Sequence, residues 1–355
     1  MRKNRFLTAV MAAFMALMLL SGCAAEVAPA ATVAPAVTIA PAASAVPTET
    51  PAAAPAEKPA LSVVALKGPT GMGMVELMQQ SKDGKAAADY TFSLAAAPDE
   101  VSGKLITGEA DIAAVPVNLA ATLYNKTGGK VRMLAVNTLG VLYILENGDT
   151  VHSVADLAGT KLYAVGQGAT PEYILNYLLD KNGAAGKADI QYMADQSELA
   201  ALLASGLNGV KLAMLPEPSV TAALLKNKSL RVALDLTAEW NKVSGGTQLV
   251  QGCLVVRTDA LEKNRAAVDG FLTEYAASAA FTNEQPAEAA KLMESFGVLP
   301  SAAAAQAAIK NCNIVCLRGD DMKRSASAML NTLFAADPKS VGGTLPGDDF
   351  YYMGE

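Results

Sequence analysis

Histidine and tryptophan occur once each in the 355 residues, as His152 and Trp240, and aromatic residues make up only 5% of the chain. A single histidine excludes the zinc helix of the H-E-x-x-H type, and the nucleophile motif G-x-S-x-G is also missing. Acid–base chemistry would therefore fall to Asp, Glu or Lys. The carboxylate pairs Asp99-Glu100 and Asp320-Asp321 read as helix starts or solvated charge. The chain is read as a non-enzyme. Cysteine is scarce too: beyond Cys23 only Cys253, Cys312 and Cys316 remain, an odd number that argues against a disulfide framework. In a strand, Cys312 and Cys316 would stand roughly 13 Å apart, too far to bridge. Buried free thiols are expected, with a Cys253 pairing left open. No histidine lies near a cysteine, so no metal or cofactor is expected. Basic residues number 28 against 34 acidic, a net of −6 without a basic patch, which excludes a nucleic-acid partner.

The N-terminus carries Arg2, Lys3 and Arg5 and then an uncharged apolar run over 6–20. Fifteen residues are short for a membrane span, which needs about 20, but suit a secretory signal. The run ends in Leu20-Ser21-Gly22-Cys23, which resembles a bacterial lipobox with Cys23 as the lipidated residue. Cleavage before Cys23 removes residues 1–22, leaving 25 basic against 34 acidic residues. Residues 23–60 are nearly all Ala, Pro, Val, Thr and Glu, with no aromatic residue. Such a segment cannot bury enough surface to fold, and its prolines keep it extended at about 3.1 Å per residue. It reads as a tether holding a folded head off the membrane.

Residues 61–355 alternate strand-like and helix-like runs. Strands are expected at 61–66, 111–115, 131–136, 141–145, 161–165, 189–193 and 211–215. Helices are expected at 72–80, 118–125, 171–179, 197–204 and 220–225. This alternation implies α/β architecture with sheets covered on both faces. An internal repeat divides it. Ala65-Leu66-Lys67-Gly68-Pro69-Thr70 matches Ala164-Val165-Gly166-Gln167-Gly168-Ala169-Thr170, and each precedes a helix. Leu105-Ile106-Thr107-Gly108 leads to a strand ending at Pro116, as Leu203-Ala204-Ser205-Gly206 leads to one ending at Pro216. Thr70 to Pro116 and Thr170 to Pro216 both span 46 positions. Two lobes of common plan follow, with ligand-facing loops at the carboxyl ends of their strands. Pro171 at a first helical position points to Thr170 as N-cap.

Three stretches carry a family resemblance: LITGEADIAAVPVN at 105–118, VADLAGTKLYAVGQGAT at 154–170 and LLASGLNGVKLAMLPEPSVT at 202–221. With them the chain resembles the substrate-binding proteins of ABC importers in the nitrate/sulfonate/taurine group, relatives of the thiamine-precursor binders. The resemblance implies a two-lobed type II periplasmic-binding-protein fold with a hinge of two crossovers, near 146–151 and 244–251. Lobe one would comprise 61–147 and 249–355, and lobe two 148–248. The ligand residues it implies are Lys67, Gly68, Pro69, Thr70, Gly71, Asn118, Gly168, Ala169, Thr170 and Glu217. Thr138 and Gln251 lie near the crossovers and join them. Lys67 is the only cation in the matching turns, and Glu217 would either repel an anion or stabilise a helix N-terminus. A neutral or partly cationic organic ligand is favoured on that ground.

The implied partners are a small molecule, an ABC permease with its ATPase, and the membrane through the anchor. The implied location is extracytoplasmic and the implied state monomeric. A sensor-feeding binding protein would use the same lobes, and an extracytoplasmic enzyme is the remaining alternative. Val268, Phe271, Leu272 and Tyr275 recur at helical spacing, as do Met322, Met329, Leu330 and Leu333, and read as core. Trp240 is expected at the lobe interface, and the terminal Phe350-Tyr351-Tyr352 packed on the body.

Overall fold

The computed structural model describes residues 58–354. The signal segment, Cys23 and nearly all of the tether expected at 23–60 lie outside the described residues. Among the described residues eleven strands build two sheets. Into the first go β1 (Ala60–Leu66), β2 (Asp89–Ala95), β3 (Ile112–Pro116) and β4 (Val131–Leu139). The second takes β5 (Leu142–Glu146), β6 (Lys161–Val165), β7 (Asp189–Met193), β8 (Leu212–Pro216) and β9 (Arg231–Asp235). The chain then returns to the first sheet with β10 (Val250–Arg257) and β11 (Ile314–Leu317).

The sheet orders are β11-β4-β10-β3-β1-β2 and β7-β6-β8-β5-β9. In the first, β1 runs parallel to β2 and β3, with Val63 opposite Ile112 and Ala65 opposite Ala114. In the second, β6 runs parallel to β7 and β8, with Tyr163 opposite Ala213. Each sheet also holds one antiparallel strand next to that parallel set, β10 beside β3 and β5 beside β8. These two are the first strands laid down after the chain changes sheet. The repeat read from the sequence thus reappears as matched topology, with β1, β2 and β3 in the places of β6, β7 and β8. Strands β3 and β8 are buried at their first four residues, as expected of strands covered on both faces.

The first crossover differs from expectation. Strand β5 pairs with β8 and β9, so the chain changes sheet at Gly140 and Val141 and not near 146–151. The apolar residues on either side of Gly140 look alike in sequence, whereas the polar run after 146 looks like a link. In the structure that run is a turn beyond β5, folded back on Glu146, whose carboxylate accepts from Thr150 and Val151. The return passage runs from the helix Leu236–Val243 into β10.

The helix expected at 72–80 is two helices, Pro69–Met72 and Val75–Lys82. Between them Gly73 lies against the Tyr275 ring, and a β-carbon there would come within 2.6 Å of the hydroxyl. One face of the first sheet packs Val63, Phe271 and Tyr275 into a common core, while Met322, Met329, Leu330 and Leu333 belong to the core on the other face. Both stripes are core, as the spacing indicates. Phe350 is fully buried edge-on to Tyr124, with ring centroids 5.1 Å apart, and the Tyr352 N–H donates to Met133 O at 2.9 Å. Trp240 departs from expectation. It is buried inside the second lobe against Tyr177, centroids 4.8 Å apart, and its Nε1 donates to Thr247 O at 2.7 Å. An indole on the inner face of the helix Leu236–Val243 is taken up by the neighbouring helix before it can reach the other lobe.

Candidate ligand site between the lobes

The carboxyl ends of β1 and β3 in one lobe face those of β6 and β8 in the other, and each strand delivers a turn into a helix. After β1 the backbone bends at Gly68, whose φ of 106° suits glycine, into the helix Pro69–Met72. Gly71 has no room for a side chain, since a β-carbon would stand 2.7 Å from Leu66 O. Asn137 Nδ2 donates to Thr70 O at 3.0 Å and Thr138 Oγ1 to Asn137 Oδ1 at 3.1 Å. Gly252 on β10 lets this group close up, because a β-carbon there would come within 2.7 Å of both Asn137 Oδ1 and Thr70 Cγ2. Thr70 and Thr138 are therefore linked through Asn137 at the cleft end of the first sheet. Gln251, next to Gly252 in sequence, is buried, with its Nε2 lacking a partner among the described residues.

In the second lobe the cap of the helix Thr170–Lys181 is Ala169, not Thr170, and no side chain caps it. The reason is that Thr170 turns its hydroxyl away, donating to Asn118 Oδ1 at 2.8 Å. Gly168 is exposed at φ 73°, and its N–H donates to Glu172 Oε2. Glu217 is buried; it accepts the Thr221 N–H at 3.0 Å, the Thr221 hydroxyl at 2.9 Å and Asn311 Nδ2 at 3.1 Å. Its carboxylate thus supports the helix Ser219–Lys226, the second of the two roles open to it from sequence.

A cavity of about 500 Å³ lies between the lobes. From lobe one it is walled by Lys67, Gly68, Glu294, the stretch from Gly297 to Ser301, Ala304 and Ala305, and from lobe two by one face each of the helices Gln196–Ser205 and Ser219–Lys226. Alanine, valine, leucine and proline make up most of its wall, with Lys67, Lys226 and Glu294 as its charged members. Of the residues expected from sequence, Lys67 and Gly68 border it. Asn118, Thr138, Thr170, Glu217 and Gln251 are buried outside its wall, and Pro69, Thr70, Gly71, Gly168 and Ala169 also lie outside it. Gln196, Ser219, Lys226 and the Leu299-Pro300-Ser301 turn escaped the sequence reading. Their local signals are two N-caps, Asp195, which accepts from Ser197 N and Glu198 N, and Ser301, which accepts from Ala304 N at 3.4 Å.

Among the described residues the three thiols are free, with Cys253 and Cys312 buried and Cys316 partly so. Burial raises all three above the ordinary thiol value, Cys316 to about 11.

Two α/β lobes, linked by two crossovers and enclosing a cavity at the carboxyl ends of their strands, define a two-lobed solute-binding protein of type II periplasmic-binding architecture. The chain belongs to the NMT1/THI5 like family, whose model matches residues 104–289, just over half of its length. It is similar to an ABC transporter structure from Parabacteroides distasonis at 25% identity, covering 82% of this chain and 98% of that one with a TM-score of 0.66. The periplasmic aliphatic sulphonate binding protein of Escherichia coli shares the fold at 19% identity, with coverage of 83% and 92% and a TM-score of 0.66. The alkanesulfonate-binding protein of Xanthomonas axonopodis pv. citri, bound to MOPS, does so at 16% identity, with coverage of 79% and 94% and a TM-score of 0.62. No curated protein matches the chain.

Proposed function

We propose that this protein captures a small organic acid outside the cell and delivers it to an ABC permease and its ATPase, acting from a lipid anchor at Cys23. The observation that carries the reading is the cavity walled by both lobes, since a solute there touches each of them and favours the closed arrangement. Its volume suits an organic molecule better than a bare inorganic ion, and its apolar wall favours a hydrocarbon body. Helix N-termini are ready anion sites, but three of the four around this cavity are already occupied, and the fourth, at Gly68, opens a helix of only four residues whose first member, Pro69, has no N–H. Asp195 accepts from Ser197 and Glu198, Glu217 from Thr221, and Ser301 from Ala304. An acidic group would therefore rest on Lys67 and Lys226, one from each lobe. With Glu217 turned to its own helix and Asn311, the objection to an anionic ligand falls away.

Calorimetric titration of the full chain with MOPS, taurine, nitrate and a neutral pyrimidine tests the proposal. Binding of a sulfonate or carboxylate, weakened at least tenfold by Lys67→Met or Lys226→Met, is the expected result. Binding of nitrate or of the pyrimidine alone, indifferent to both substitutions, would overturn it.

A further inference from the structure

Among the described residues two hydrogen bonds join the lobes, and neither involves a residue of the cavity wall. In the first, Thr170 of lobe two donates to Asn118 Oδ1 of lobe one at 2.8 Å, with both side chains buried. Asn118 is fixed for this task because its Nδ2 donates to Ser340 O at 3.3 Å, which ties it to the C-terminal segment of its own lobe. Thr170 is free for it because its hydroxyl serves no helix cap. In the second, Asn311 precedes β11 in lobe one and donates Nδ2 to Glu217 Oε1 of lobe two at 3.1 Å. Glu217 is in turn held by the Thr221 backbone and hydroxyl of its own helix. In both contacts the accepting side chain is immobilised within its own lobe, so the bond reports on the distance between lobes and on little else.

We propose that Thr170–Asn118 and Asn311–Glu217 form a latch that sets how closed the protein stands without solute, and that these four residues tune affinity as positioning residues without touching the solute. The proposal rests on the two-lobed binding reading, but its readout needs no solute, so failure to find a ligand leaves it testable. Separation of the lobes exposes all four groups to water, and closure exchanges that water for partners already aimed. The bias of such a bond enters apparent affinity as the population of the closed state. Removal of one neutral hydrogen bond is expected to shift that population roughly two- to tenfold. Loss of Asn311, whose partner is a buried carboxylate, should shift it further.

The test is the interlobe distance distribution of the solute-free full chain, measured by electron–electron double resonance. Nitroxides are carried by encoded non-thiol amino acids at positions 96 and 194. Ala96 and Ala194 are both exposed and follow β2 and β7 at the cleft-facing ends of the two sheets. Wild type is expected to show a major short-distance population. Thr170→Val and Asn311→Leu should each transfer part of it to longer distances, while Thr170→Ser, which keeps the hydroxyl, should retain it. Asn118→Ala combined with Thr170→Val should add nothing to either alone. Circular dichroism confirms that each variant is folded. Identical distributions in wild type, Thr170→Val and Asn311→Leu would overturn the latch, as would a Thr170→Ser that opens like the valine variant.

Discussion

Gly140 and Thr237 are packed so closely that a β-carbon on the glycine would stand 2.1 Å from Thr237 Oγ1, and 2.9 Å from Leu249 Cδ2. The contact lies where the chain leaves β4 for β5, and it joins the first crossover to the first turn of the helix that leads into the second. Asn313 reinforces it, donating Nδ2 to Gly140 O, while Leu139 N donates to Asn313 O at 3.1 Å. Both crossovers are thus built around a glycine that leaves no spare volume.

Gly140→Ala should therefore act as overpacking, at a cost of about 1–3 kcal/mol, and lower the melting temperature by several degrees. Thr237→Ala in the same chain removes the nearest clashing atom and should recover part of the loss. Melting curves for the wild type and each of the two variants check this. Equal losses with and without the second substitution would refute the contact.

Stability should also depend on acid through Glu146 and Arg231. Burial of Glu146 by itself raises its pKa, but bonds from Thr150 and Val151, with Arg231 beside it, outweigh burial and hold the carboxyl below its ordinary value. A folded-state pKa below the unfolded one adds stability that is complete above the unfolded value, about 4.3. That stability is lost as pH falls below this value through the folded pKa. Arg231→Met lets the Glu146 pKa rise, so the acid-unfolding midpoint, followed by circular dichroism, should move to higher pH. A midpoint unmoved by the substitution would contradict the pairing.

The single tryptophan gives a fluorescence prediction. Trp240 is 0% exposed and held by Thr247 and Tyr177 within one lobe. Its emission should be blue-shifted and resistant to iodide, and an added sulfonate that binds should leave the maximum in place. A shift of several nanometres on binding would put Trp240 at the interface after all.

Thiol chemistry should follow burial. At pH 8, Cys253 and Cys312 should resist Ellman's reagent in the folded protein, because the thiolate is the reactive species and burial suppresses it. Cys316, raised to about 11 and partly exposed, should react slowly. Guanidinium should release all three. Rapid reaction of Cys253 without denaturant would indicate a looser first sheet than the structure shows.

Much of the fold was legible in the chain because it rests on local periodicity. Strands at 161–165 and 189–193 needed no adjustment, since short apolar runs bounded by turns leave few alternatives. Strands β2, β9, β10 and β11 were not foreseen. Asp89–Ala95 alternates weakly and sits at a sheet edge, and β10 and β11 draw their partners from residues more than a hundred positions earlier. The candidate site was legible only on the side made by the repeat. Its far wall, 297–305, belongs to no repeat and reaches the cavity through the packing of the C-terminal helices.

From the sequence by itself came the lipobox and tether readings, the two-lobed plan and the turns that frame the cleft. Each of these depends on spacing, composition or a φ that only glycine adopts cheaply, and such properties are local to the chain. The tertiary structure decided where the chain changes sheet, that Glu217 supports its own helix, and that Thr170 meets Asn118 across the lobes. A side chain with several partners in reach takes the one that burial leaves available, and burial is a property of the assembled lobes.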